Sequence, residues 1–234
     1  MLFIYDLLFL LVLIVYSPFL LIKFLRKKEL SFLNECSQSP IWFHAASVGE
    51  VNGLYPIIDN IFQKNKYFEF AITTYTPTGL KRAKEIFSNY PVKYYSILPL
   101  DFSFIIKRFI KKMRPAIIII SETELWPNLI SRAKKYGIKV IVVNGRISDR
   151  AWPNYSRFRL FFKNIVNKID FYCAQTETDK GRIVSLGIAP NNVEVTGNSK
   201  YSFVPKITKE ISINLSRPII VAGSTRPGEE VIVL

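Results

Sequence analysis

Between residues 41 and 196 short apolar runs alternate with amphipathic stretches. The runs at 41–46, 70–74, 93–98, 115–120, 139–143, 170–174 and 192–196 are rich in β-branched and aromatic side chains and read as strands. Helical patterns fill the intervals at 51–63, 80–88, 101–113, 127–136, 155–167 and 177–186. Gly137 and Gly187 stand just past two of these helices, where a left-handed residue is needed to end the turn. Ile117, Ile118, Ile119 and Ile120 follow one another without alternation, the pattern of a central parallel strand covered on both faces. The rhythm predicts an α/β fold built on a doubly wound, mostly parallel sheet. No internal repeat or low-complexity segment interrupts it.

The N-terminus follows a different pattern. Leu2 to Ile22 is almost wholly apolar, broken by Asp6 and by Ser17-Pro18. That length approaches the roughly 20 residues of a membrane-crossing helix. No Lys or Arg precedes the run, whereas Lys23, Arg26, Lys27 and Lys28 follow at once. The asymmetry predicts an inner-membrane anchor over residues 1–30, with the remaining chain on the cytoplasmic side against anionic lipids. A cleaved signal would show a basic start and a small-residue cleavage site, and neither is present. Asp6 and Pro18 shorten the clean run to 7–17, so a monotopic helix and a buried core helix stay open beside a spanning one. Residues 31–204 form the expected domain and 205–216 a polar linker. A new strand is expected from Arg217 into Gly223-Ser224-Thr225, and residues 217–234 read as the start of an incomplete second, nucleotide-binding domain.

Composition narrows the chemistry. Among 234 residues, 32 Lys and Arg against 18 Asp and Glu leave a net charge of +14, which points to an anionic partner. The 49% hydrophobic content excludes a disordered chain. Cys36 and Cys173 are far apart and His44 is the single histidine, so neither a disulfide scaffold nor a zinc site is expected. No metal and no cofactor is predicted. The positive charges are scattered over several helices beside a membrane segment, which argues against nucleic acid.

In a parallel α/β sheet, ligands gather where strands end and helices begin. The residues there are 44–50, 73–79, 121–124, 144–148 and 197–200, and all five segments fall on one rim. Ser47, Gly49, Thr76, Asn144, Arg146 and Asn198 are their candidate substrate-binding residues. Glu50 sits in a first helical turn, where capping alone would explain a carboxylate. Glu122 ends the isoleucine strand, where a merely solvated charge is not expected. Lys200, in Gly-Asn-Ser-Lys, has an ordinary surface role as its plain alternative. His44 reads as a packed strand-end residue, and Trp126 with Pro127 as the start of a helix, Trp126 being half open to a sugar face. Lys107, Arg108, Lys111 and Lys112 form a basic helix face that is either solvated or turned to lipid headgroups.

Four segments of this rim carry a resemblance. Phe43-His44-Ala45-Ala46-Ser47-Val48-Gly49-Glu50, Thr73-Thr74-Tyr75-Thr76-Pro77-Thr78-Gly79, Glu122-Thr123-Glu124-Leu125-Trp126-Pro127-Asn128 and Val195-Thr196-Gly197-Asn198-Ser199-Lys200 occur in that order. Together with the N-terminal anchor they resemble the N-terminal half of the 3-deoxy-D-manno-octulosonic acid (Kdo) transferases of lipopolysaccharide synthesis. The resemblance implies a membrane-bound, metal-independent, inverting glycosyltransferase of two Rossmann-like domains, the GT-B arrangement. Such an enzyme moves Kdo from CMP-Kdo to a hydroxyl of lipid A precursor. Glu50 matches the family's general base, and Glu122 and Lys200 match its transition-state stabilisers. Ser121 stands where the family usually has Met, and Arg226-Pro227 where it usually has His-Glu. Most of the family's nucleotide site lies in a C-terminal domain, so this chain is expected to be inactive alone unless a separately encoded C-terminal half completes it. Competing functions are a glycosyltransferase of the same architecture acting on another membrane lipid, and a non-enzymatic, membrane-anchored binding module.

Overall fold

The computed structural model describes residues 40–202 without a break, together with 5–7, 9–11, 223 and 228. The chain divides into two compact units, Met1–Phe203 and Val204–Leu234, and the sheet belongs to the first. The expected linker over 205–216 lies outside the described residues, as does nearly all of 217–234.

The elements run β1 (Ile41–Ala45), α1 (Val48–Lys64), β2 (Phe70–Thr74), α2 (Pro77–Ile86), β3 (Val92–Ile97), α3 (Ser103–Met113) and β4 (Ile117–Ser121). They continue with α4 (Pro127–Lys135), β5 (Lys139–Gly145), α5 (Trp152–Arg157), α6 (Arg159–Val166), β6 (Phe171–Ala174), α7 (Glu177–Leu186) and β7 (Val193–Val195). The seven strands form one sheet in the order β3-β2-β1-β4-β5-β6-β7, and every neighbouring pair is parallel. The sequence order reverses between β1 and β4. Phe43, Ile72 and Ile119 pack beneath α1 and α2 through Val51, Leu54, Ile58 and Ala83. Trp42, Ile118 and Ile120 pack on the opposite face with Ile106, Phe109, Leu129 and Ile130 of α3 and α4. β1 thus feeds a helix on one face and its neighbour β4 feeds a helix on the other, which opens a crevice at their carboxyl ends.

Local chemistry sets the helix starts. Ser47, Thr76 and Thr176 each accept a backbone N–H three residues on, from Glu50, Gly79 and Asp179. The Ser47 cap starts α1 at Val48, three residues before the start that periodicity predicts, and so places Glu50 inside the first turn. Pattern alone also predicts one helix over 155–167, whereas Phe158 separates α5 from α6. Asp101, expected within a helix, lies outside α3 and accepts the N–H groups of Asn128 and Leu129 at 2.9 Å each, capping α4 from a distance.

Most of the expected anchor lies outside the described residues. Among the described residues no helix is long and apolar enough to cross a membrane. Residues 5–7 and 9–11 are helical and meet the domain. Asp6 accepts the Asn128 side-chain N–H at 2.7 Å, and the rings of Tyr5 and Phe9 lie 6.3 and 5.1 Å from those of Phe161 and Phe102. The carboxylate that interrupts the apolar run is therefore matched to a polar contact on the domain.

Candidate active site

Glu50 is nearly enclosed, at 6% exposure, and its carboxylate is anchored by its own chain. Ala46 N–H donates to Oε2 and Ser47 Oγ donates to Oε1, both at 2.8 Å. Burial pushes the carboxyl above its ordinary pKa, these two donors pull the other way, and Glu122 and Lys200 add smaller opposing effects. A carboxylate of raised basicity with lone pairs to spare is equipped to take a proton.

Glu122 leaves β4 in a left-handed conformation, φ 59°, held by its N–H on Val143 O at 2.8 Å. Lys200 Nζ meets Glu122 Oε1 at 2.5 Å, joining residues 78 apart in sequence. Both side chains remain about one-third exposed, at 34% and 32%, so a ligand can reach the pair. Lys200 arrives there across α1. A Cβ on Gly53 would stand 3.0 Å from Lys200 Cγ, and one on Gly49 would stand 3.8 Å from Nζ. Two glycines four residues apart on one helix face leave the channel that the lysine stem occupies.

The remaining predicted residues divide by role. Asn144, at φ 54°, grips the Lys200 loop: its Nδ2 donates to Ser199 Oγ at 2.7 Å and its Oδ1 accepts Ser199 N–H at 2.9 Å. Ser199 Oγ in turn donates to Gly53 O at 2.5 Å. Asn198 Oδ1 accepts Lys200 N–H at 2.9 Å and shapes the same turn. Ser47 and Gly49 border the carboxylate. Thr76 caps α2 and donates to Ala46 O at 3.3 Å, so it braces the rim from outside. Arg146 is exposed and joins the Glu122 loop through its backbone N–H, which donates to Thr123 Oγ1 at 2.9 Å. Glu50, Glu122, Lys200, Asn144 and Asn198 therefore converge, with Thr76 and Arg146 at the margins.

His44 is fully buried and its pKa is lowered to about 4 by burial, its Nδ1 lying 3.0 Å from Thr73 Oγ1. It is a neutral packing residue. Glu124 carries no assignment from sequence, yet burial and the charges of Glu50 and Glu122 push it up to about 7. Gly53 likewise carries no assignment from sequence. Its signal is the spacing of four from Gly49. Among the described residues no group of three or more His, Cys, Asp or Glu is arranged to hold a metal ion. The cavity lined by Lys111, Arg114, Tyr136 and Ile138 opens at the opposite ends of the strands, away from these carboxylates.

Residues 23–203 match the family described as 3-deoxy-D-manno-octulosonic-acid transferase (kdotransferase). The chain is 35% identical over 201 residues to a 3-deoxy-D-manno-octulosonic acid transferase of Haemophilus influenzae, covering 83% of this chain and 47% of the relative. It is 38% identical over 160 residues to a transferase of the same description from Chlamydia pneumoniae, covering 68% and 36%. A bifunctional glycosyltransferase/methyltransferase of Fusobacterium nucleatum is 35% identical, over 98% of this chain and 38% of its own length. The chain thus spans less than half the length of these relatives. Among solved structures, MnaA of S. aureus with UDP aligns with a TM-score of 0.53 at 15% identity, covering 74% of this chain and 50% of that one. A UDP-N-acetylglucosamine 2-epimerase aligns with a TM-score of 0.54 at 13% identity, covering 75% and 51%. At such identities the likeness is one of fold.

Proposed function

The chain belongs to the 3-deoxy-D-manno-octulosonic-acid transferase family, and from that premise we propose that it is the acceptor-side half of an inverting glycosyltransferase moving Kdo from CMP-Kdo to lipid A precursor. The observation that carries the reading is the meeting of Glu50, Glu122 and Lys200 at the crevice where β1 and β4 end. Glu50 accepts the proton of the attacking hydroxyl as the new C–O bond forms at the anomeric carbon. The bond to the CMP oxygen breaks and CMP leaves with the electron pair. Glu122 faces the positive charge that the sugar ring develops on the way. Lys200, a point charge on a flexible stem, balances the Kdo carboxylate and the departing phosphate.

The donor site and CMP recognition belong, in this reading, to a C-terminal half in the same or a separate polypeptide, without which the chain is inactive. The proposed seat is the cytoplasmic face of the inner membrane. The net charge of +14 supports this, as does the outer face of α3, where Phe104 is 70% exposed beside the exposed Lys107, Arg108 and Lys111.

The test is Glu50→Gln in a hybrid of this chain with the C-terminal half of the Haemophilus influenzae relative, assayed for Kdo transfer to lipid A precursor. Transfer should fall at least about 100-fold in a variant that still folds cooperatively, because a positioned base contributes on that scale. Turnover within a few fold of the unsubstituted hybrid removes Glu50 from the role.

A further inference from the structure

Tyr75 lies between the end of β2 and the Thr76 cap, and the residue is 51% exposed on the rim. An exposed tyrosine is unremarkable when it is loose, and this one is fixed from two directions. Its ring rests on Trp126, with centroids 5.7 Å apart and planes at 32°. Trp126 is half-buried and meets the fully buried His44 edge-on, at 6.2 Å and 77°. Three rings therefore form a column from the interior to the rim. The second restraint is Ala46. Its carbonyl accepts Tyr75 N–H and Thr76 Oγ1, both at 3.3 Å, while its N–H holds Glu50 Oε2 at 2.8 Å. One residue, through the two peptide groups that flank its Cα, thus ties the Tyr75 backbone to the carboxylate.

The edge of this platform is polar. Trp126 N–H donates to Glu124 O at 3.1 Å. The Trp126 side chain lies close enough to the Glu124 carboxyl to favour its charged form against the effect of burial. A flat ring with a carboxylate at its border matches a pyranose, whose C–H face stacks on aromatics while its hydroxyls reach sideways. Position selects the acceptor sugar over the donor, because the platform shares its anchor with the group that deprotonates the acceptor hydroxyl.

We propose that Tyr75, backed by Trp126, is the platform for a pyranose ring of the acceptor, a positioning residue that presents a hydroxyl to Glu50. The proposal rests on the reading of Glu50 as the base for a sugar-lipid acceptor. Losing the ring leaves the fold intact and weakens the hold on the acceptor sugar.

The experiment titrates the whole chain with lipid A precursor in detergent and with its de-acylated sugar backbone, following tryptophan emission. Saturable changes are expected for both probes, absent in Trp126→Phe. Tyr75→Ala should weaken the sugar backbone roughly tenfold, with an unchanged unfolding midpoint, and Tyr75→Phe should stay within about threefold. In the transfer hybrid, Tyr75→Ala should raise KM for the acceptor and leave KM for CMP-Kdo unmoved. Wild-type affinity in Tyr75→Ala, or an effect confined to CMP-Kdo, overturns the platform while the transferase reading stands. Failure of the unsubstituted chain to take up either probe overturns both.

Discussion

Ser47→Ala separates the two duties of the α1 start. The hydroxyl accepts Glu50 N–H as a helix cap and donates to Glu50 Oε1 at 2.8 Å. The first duty does not depend on the charge of Glu50, and an N-cap of this kind is worth about 1 kcal/mol. The second exists in full only when the carboxylate is ionised, and a hydrogen bond to a charged group is worth about 1.5–3 kcal/mol. Glu50 is 6% exposed, so water replaces the lost donor poorly, and among the described residues Ala46 N–H is the donor that remains on the carboxylate.

The pH dependence has a definite sign. Burial already raises the folded-state pKa of Glu50 above its ordinary value, so its contribution to stability is present at low pH and is lost as pH rises through the folded value. Removing Ser47 Oγ raises that value further and deepens the loss. Urea unfolding of the chain should therefore show Ser47→Ala costing about 1 kcal/mol near pH 4 and about 2.5–4 kcal/mol near pH 8. In the transfer hybrid, the acid limb of the pH–rate profile should move to higher pH. Equal costs at the two pH values would refute the coupling of cap and carboxylate.

Two further variants probe the surroundings of the site. A Cβ on Gly145 would fall inside the Tyr172 ring, so Gly145→Ala should cost about 1–3 kcal/mol and release the 2.7 Å contact between the Tyr172 hydroxyl and Thr123; an unchanged unfolding midpoint would contradict the packing. Glu124 is raised from 4.5 to about 7 by burial and by its acidic neighbours, so its contribution to stability is present below pH 4.5 and lost as pH rises through 7. Glu124→Gln should therefore stabilise the chain at pH 8 by about 1–2 kcal/mol, a value already reduced for solvent screening, and leave it unchanged at pH 4; a gain at both would point to packing.

The sheet was legible because its signals are local and redundant. Four successive isoleucines, and glycines at 137 and 187 with φ of 72° and 121°, mark strand and helix ends without tertiary information. Glu50, Glu122 and Lys200 are legible as neighbours because each lies just after a strand, and parallel topology brings such positions to one edge, while their roles come from the family resemblance. Gly53, Ser199 and Tyr75 escaped for the opposite reason. Each matters through a neighbour distant in sequence: Gly53 through the Lys200 stem, Ser199 through Asn144, Tyr75 through Trp126. The break at Phe158 escaped because α5 and α6 share an apolar period. The placement of Asp6 against Asn128 is likewise a contact that pattern cannot supply.

Two residues at the ends of central strands bear on why this edge is a site and not a set of ordinary loops. Glu122 and Asn144 both adopt left-handed backbone, at φ 59° and 54°, and such conformations cost non-glycine residues of order 1–3 kcal/mol. Asparagine tolerates the region through its short polar side chain, and here that side chain is spent on Ser199. Glutamate has no such local compensation. Glycine would fit the backbone of residue 122 with less strain but would bring no charge to Lys200. The sheet can sustain the cost, since β4 is paired on both sides and Ile118 and Ile120 are fully buried. The left-handed turn takes Glu122 off the line of β4 and into reach of a lysine 78 residues away. A rigid strand ending in a strained carboxylate, met by a lysine laid over two glycines, holds opposite charges at a partly open crevice without closing it. In the proposed transferase reading, an incoming anionic sugar would find that pair already in place, with little to reorganise before reaction.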